Sequence, residues 1–201
     1  MKSFSLQMAT QKLIIITAPS GAGKTSITHY LLHKYPQLSF SVSAATRKPR
    51  ADEQNGVDYY FISPEEFQHN IEKEAFIEWE MVYEGKYYGT LKSELQRIWN
   101  ESKIPVLDID VQGAIHVRKQ FPETSLSIFI DPPSIEELKK RLEQRKTESL
   151  ESMQTRLNKA EYELSFKEHF DKVIVNDDLK KACNEAGSAI KEFLGWQEEV
   201  G

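Results

Sequence analysis

Apolar residues in this chain gather in short unbroken runs, and each run hands over to a stretch with helical spacing. Lys12 to Thr17 is Ile-rich and continuous rather than alternating, as expected of a strand buried on both faces, and a Gly-rich turn leads from it into the helical pattern Lys24 to Tyr35. The runs Ile104 to Asp110, Ser125 to Asp131 and Lys172 to Val175 are likewise each followed by a helical stretch. This alternation predicts an α/β fold with a parallel sheet flanked by helices. From Ser41 to about Trp99 the pattern breaks. Asp58-Tyr59-Tyr60-Phe61-Ile62, Phe76-Ile77-Glu78-Trp79-Glu80 and Tyr83 to Tyr88 are short, aromatic and β-branched, with Gly85 as a turn signal. They predict a small mixed or antiparallel sheet inserted between core elements. Ser134 to about Phe166 reads as two helices, the second long, with a polar break at Lys146 to Ser149. The expected organisation is one domain, 1–201, with a core of about 1–40, 100–134 and 168–201, a substrate lobe of about 41–99 and a helical lid of about 135–167.

Composition narrows the class. A chain of 201 residues, 39% hydrophobic and 28% charged, is an ordinary globular protein with room for one well-buried core. Its formal net charge of -5 argues against a nucleic-acid-coating surface, which needs a broad basic stripe. Anionic ligands must meet local positive charge, offered by Arg47, Lys48 and Arg50 and by Lys139, Lys140, Arg141, Arg145 and Lys146. The apolar runs fall far short of the ~20 residues of a membrane-spanning helix, and Met1 to Thr10 lacks the pattern of a signal peptide. With Cys183 as the one cysteine, a reducing, cytoplasmic setting and no membrane association are expected.

The turn after the first strand carries chemistry. Ala18-Pro19-Ser20-Gly21-Ala22-Gly23-Lys24-Thr25 matches the phosphate-binding loop except that Ala18 stands at its first glycine. Gly21 and Gly23 permit backbone conformations closed to other residues and bring N–H groups close to phosphates. Lys24 can reach the β- and γ-phosphate oxygens of a nucleoside triphosphate while the Thr25 hydroxyl ligates Mg²⁺, at the positive end of the next helix. The bland alternative is a tight turn with a solvated lysine. Strand, loop and helix in the required order favour the motif.

A phosphate loop alone does not name the substrate. Further segments do more: Phe40-Ser41-Val42-Ser43-Ala44-Ala45-Thr46-Arg47-Lys48-Pro49-Arg50, Phe76-Ile77-Glu78-Trp79 with Tyr87-Tyr88-Gly89-Thr90, and Leu107-Asp108-Ile109-Asp110-Val111-Gln112-Gly113. With the loop, they resemble the guanylate kinase family in order and spacing, from about Lys12 to Phe193. The resemblance implies transfer of the γ-phosphoryl group of ATP to GMP or dGMP with Mg²⁺.

Residue by residue, the resemblance implies a GMP phosphate held by Arg47, Arg50, Tyr59 and Tyr88, since paired guanidinium forks suit a dianion. Guanine shows N–H donors and an O6 acceptor on its pairing edge. Glu78 fits the donors, with Asp108 assisting at the amine, and the hydroxyls of Ser43 and Thr90 suit O6 and N7. Where relatives often carry Ser, this chain has Thr90. Asp110 is expected near the metal and phosphates. Arg141 and Arg145, at i and i+4, point from one helix face, and Arg156 resembles the third arginine that closes on the transferring phosphoryl group. Lys146 stands where the family commonly has Gly. Asn176 resembles the residue beside the adenine ring. Two rivals remain at this point: a non-catalytic module of the same fold that binds peptides, and a kinase with AMP, UMP or dTMP as acceptor. A monomer and a homodimer are equally compatible with the sequence.

Overall fold

The computed structural model describes residues 11–83, 85–143 and 150–197. They divide into two compact units, one built from residues up to Pro36 and from Asp108 onward, the other from Gln37 to Leu107.

In the first unit, β1 (Leu13–Thr17), β8 (Ser125–Asp131) and β9 (Lys172–Val175) pair in parallel, Leu13 opposite Ser125 and Ile128 opposite Lys172. Leu13 to Ile16 are fully buried, which is why that run is apolar at every position. The unit's helices are α1 (Lys24–Lys34), α4 (Val111–Gln120), α5 (Ile135–Glu143), α6 (Leu150–Leu164) and α7 (Leu179–Leu194). Helix α4 packs on β1 and β8, while α7 packs on β8, β9 and α1. The Asp178 carboxylate caps α7 by accepting from Lys181 N–H at 2.7 Å, and Gly195 ends it in the left-handed conformation with φ 70°. Cys183 is buried within α7, as its place in the helical pattern suggests. Leu138, Leu142, Leu157 and Ala160 form the joint between α5 and α6. The polar break at 146–149 and Arg145 lie outside the described residues.

The second unit holds the inserted sheet in the order β4 (Tyr60–Phe61), β3 (Ala44–Ala45), β6 (Lys86–Leu91), β5 (Phe76–Tyr83). It is mixed: β3 pairs β4 in parallel and β6 antiparallel. Phe67 stacks on Phe76 at 4.3 Å between ring centres and closes the lobe's small core with Ala44 and Tyr87. Phe67 belongs to α2 (Pro64–Glu72), whose N-cap Ser63 accepts from Glu66 N–H at 3.1 Å. A further helix, α3 (Lys92–Asn100), follows β6. Neither α2 nor α3 was part of the expected sheet lobe, although Ser63-Pro64-Glu65-Glu66 is a helix-start signature. In the same unit β2 (Leu38–Phe40) runs parallel to β7 (Ile104–Asp108), whose final residue belongs to the first unit.

Candidate active site

Loop 18–25 joins β1 to α1. Gly21 and Gly23 take φ 93° and 97°, values that side chains disfavour, and Ala22 N–H bonds back to Pro19 C=O at 3.1 Å. Ala18 is buried and takes no positive φ, so a methyl at the motif's first glycine meets no backbone strain. Pro19 is buried, and Ser20 and Thr25 are exposed. Helix α1 has no acidic residue in its first turn and no side-chain cap, and it carries His33 and Lys34 in its last turn. Its N-terminal N–H groups are therefore left for an anion.

Lys24 forms an ion pair with Asp108, and its ammonium group also reaches Ile109 C=O at 3.5 Å. Asp108, suggested by resemblance for the guanine amine, is thus brought to the phosphate-loop lysine. Asp110 caps α4, accepting from Gly113 N–H at 2.8 Å. Helix α6 contributes Glu163, which the sequence reading passed over. Burial drives its carboxyl up to about 7; Lys159 opposes the rise, Asp110 adds to it and Lys24 lowers it. Arg141 on α5 donates to Glu137 at 3.2 Å and to Asn176 C=O at 3.1 Å. The loop lies beneath the same helix, because a Cβ at Gly21 would stand 3.1 Å from Leu138 and Leu142. Arg156 is half-buried on α6.

In the second unit the Arg47 guanidinium lies over the Tyr59 ring, 4.8 Å from its centre, and donates to Tyr88 Oη at 3.1 Å. It also grips Glu53 with both terminal nitrogens, at 2.5 and 2.7 Å. Arg47 and then the Arg50 N–H, which donates at 2.8 Å, pull the Glu53 carboxyl down to about 2. The Arg50 side chain is exposed beside this pair. Register sets Glu78 opposite Thr90 and Glu80 opposite Tyr88, so strand alternation sends these side chains to one face of the β5–β6 ribbon. Glu78 is 7% exposed and accepts from Thr90 Oγ1 at 2.6 Å. Ser43 is half-buried, and its C=O takes Tyr60 N–H at 2.9 Å.

A second buried carboxylate, Glu94 on α3, binds this lobe together. It accepts from Val42 N–H at 3.1 Å, Tyr60 Oη at 2.9 Å and Arg97 at 2.8 and 3.0 Å. Burial works to raise its pKa, but these donors outweigh burial and hold it below the ordinary carboxylate value. Neither Glu53 nor Glu94 was picked out from the sequence. The spacing Arg50 to Glu53 hints at a turn bond, whereas nothing local marks Glu94, whose partner Val42 is 52 positions away.

A phosphate loop feeding a helix in one unit, and an arginine–tyrosine cluster with a buried carboxylate in the other, define a nucleotide phosphotransferase of the nucleoside-monophosphate kinase type. Comparison with known proteins gives the particular family. The model of the guanylate kinase family matches residues 10–193. A guanylate kinase of Bacteroides thetaiotaomicron is 49% identical over 191 residues, covering 95% of this chain and 94% of that one. One from Porphyromonas gingivalis is 50% identical, covering 91% and 98%. The crystal structure of guanylate kinase from Anaplasma phagocytophilum superposes with a TM-score of 0.73 at 30% identity, covering 92% and 86%. The chain belongs to the guanylate kinase family.

Proposed function

We propose that this chain phosphorylates GMP and dGMP from ATP by in-line transfer, with about 41–99 acting as the acceptor lobe and about 135–167 as a lid. The buried Glu78 carboxylate, bonded to Thr90, carries the choice of acceptor. Guanine offers donors to such an acceptor group, and adenine would leave a buried charge poorly paired. Arg47, Arg50, Tyr59 and Tyr88 hold the acceptor phosphate, and Ser43 and Thr90 complete the base site. Asp108 acts through Lys24, and Asn176 belongs to the ATP site.

The reacting centre needs alignment and positive charge rather than a nucleophilic side chain. Lys24 and the N-terminus of α1 draw the ATP phosphates into the loop, and Arg141, Arg145 and Arg156 add charge from the lid. Closure of lobe and lid excludes water as a competing acceptor. The oxygens available beside the loop suit a hard cation. Thr25 is exposed at the start of α1, and Asp110 spends one carboxylate oxygen on Gly113 while the other accepts from no described residue. Mg²⁺ held by Thr25 and Asp110 would neutralise charge on the phosphates when bound.

No helix among the described residues is long and apolar enough to cross a membrane. A cytoplasmic monomer or homodimer acting on small nucleotides, without nucleic acid, fits the acidic chain and its buried thiol. Steady-state phosphorylation of GMP, dGMP, AMP and UMP with ATP and Mg²⁺ tests the reading. GMP and dGMP should dominate; a preference for AMP, or absence of transfer, overturns it.

A further inference from the structure

Asn176 follows the last residue of β9 and is 5% exposed. Its backbone N–H donates to Asp131 C=O at 2.8 Å, which fixes it at the end of β8. Its side-chain amide donates to Ala22 C=O at 2.7 Å, inside the phosphate loop. Its own C=O accepts from Arg141 at 3.1 Å. A Cβ at Gly23 would collide with the Asn176 amide nitrogen, so the side chain lies directly against the loop.

The Ala22–Gly23 peptide explains why this contact matters. Loop N–H groups serve an anion only while the carbonyls between them point away from it. Those carbonyls then need donors elsewhere, because Ala22 is wholly buried and an unpaired carbonyl there is costly. In a trans peptide C=O and N–H point in opposite directions. A donor that holds Ala22 C=O therefore also fixes the direction of Gly23 N–H.

We infer that Asn176 is a positioning residue for phosphoryl transfer: its amide sets the Ala22–Gly23 peptide, and its carbonyl anchors Arg141, so loop and lid arginine share one support. This rests on the reading of loop 18–25 as the ATP phosphate site, and it gives Asn176 a task independent of the donor's base.

The test is steady-state kinetics of wild type, Asn176→Ala and Asn176→Asp with ATP and with ITP, whose base carries a carbonyl where adenine has an amine. Both variants should lose roughly 10-fold to 100-fold in kcat/KM for the donor, the scale on which supporting hydrogen bonds act. The loss should be the same for ATP and ITP, with the KM for GMP within about twofold of wild type. Asn176→Asp is nearly isosteric but sets a carboxylate against a carbonyl oxygen, so it should be at least as impaired as Asn176→Ala. A defect confined to ATP would make Asn176 a base contact and overturn the inference, as would an Asp variant equal to wild type. If the Ala variant does not fold, the Asp variant and the Gly23 amide resonance decide: the resonance should shift on nucleotide binding in wild type and lose that shift in Asn176→Asp. Wild-type protein without ATP-dependent transfer would sink the loop reading instead.

Discussion

In the first unit the groups that the proposed function sets against phosphate are mostly backbone: N–H groups of a loop with Gly21 and Gly23 at positive φ, followed by the uncapped start of α1. Side chains there act as struts, with Asp108 on Lys24, Asn176 on Ala22 and Leu138 and Leu142 above Gly21. The second unit reverses these roles. Its backbone is an ordinary mixed sheet, and the charge is built from side chains that hold one another, Arg47 on Glu53 and Tyr88, Thr90 on Glu78, and Arg97 and Tyr60 on Glu94. A backbone site is rigid by conformation, and one side chain completes it. A side-chain site is rigid only through its partners, so damage spreads.

Lys24→Ala strikes the first kind of site where its side chain matters most. Turnover should fall by roughly 10³-fold, the upper range for losing one preorganised donor, with the circular dichroism spectrum intact. Near-normal turnover would mean that backbone groups alone suffice. Glu78→Gln strikes the second kind. The kcat/KM for GMP should fall by about 10²-fold, equivalent to roughly 3 kcal/mol for a charged hydrogen bond, while the KM for ATP stays put. An equal loss for both nucleotides would show that Glu78 supports the fold rather than the base.

The same contrast explains what was legible beforehand. The loop could be read because a backbone conformation demands glycine at fixed places, and β1, β8 and β9 because burial on both faces demands continuous apolar runs. The strands of the lobe were visible as aromatic segments, and Glu78 and Tyr88 through family likeness. Glu53 and Glu94 were not visible, because a carboxylate is identified only by the donors around it, and Val42 and Tyr60 reach Glu94 through tertiary structure. The Asn176 amide on Ala22, 154 positions distant, is hidden for the same reason.

Glu94→Ala tests whether damage to a partner spreads. It would strip the acceptor from Val42 N–H and Tyr60 Oη and leave Arg97 with Glu101 alone. The Arg97 side chain is 43% exposed, so water compensates part of the loss, and about 2 kcal/mol is expected. That corresponds to a Tm lowered by roughly 4–8 °C. Because Val42 adjoins Ser43 and Tyr60 adjoins Tyr59, the KM for GMP should rise while that for ATP does not. A variant with lower Tm and unchanged GMP kinetics would separate stability from the site.

The smallest effect is expected at Glu53, and its sign follows from the direction of its shift. Folding lowers this carboxyl from the ordinary 4.5 to about 2, chiefly through Arg47. In the pH interval between those values the unfolded chain binds a proton that the folded chain does not, so this contribution to stability falls as pH falls. It is complete above the unfolded value and gone below the folded one. Glu53→Gln removes the charge and with it the linkage. Wild type should therefore melt above Glu53→Gln at pH 6, and the gap should close steadily as pH drops from 5 towards 2. A gap constant over that range would mean that Glu53 serves Arg47 by shape rather than charge. The side-chain site would then be held by packing, as the backbone site is, and the contrast between the two units would weaken at the residue where it is easiest to measure.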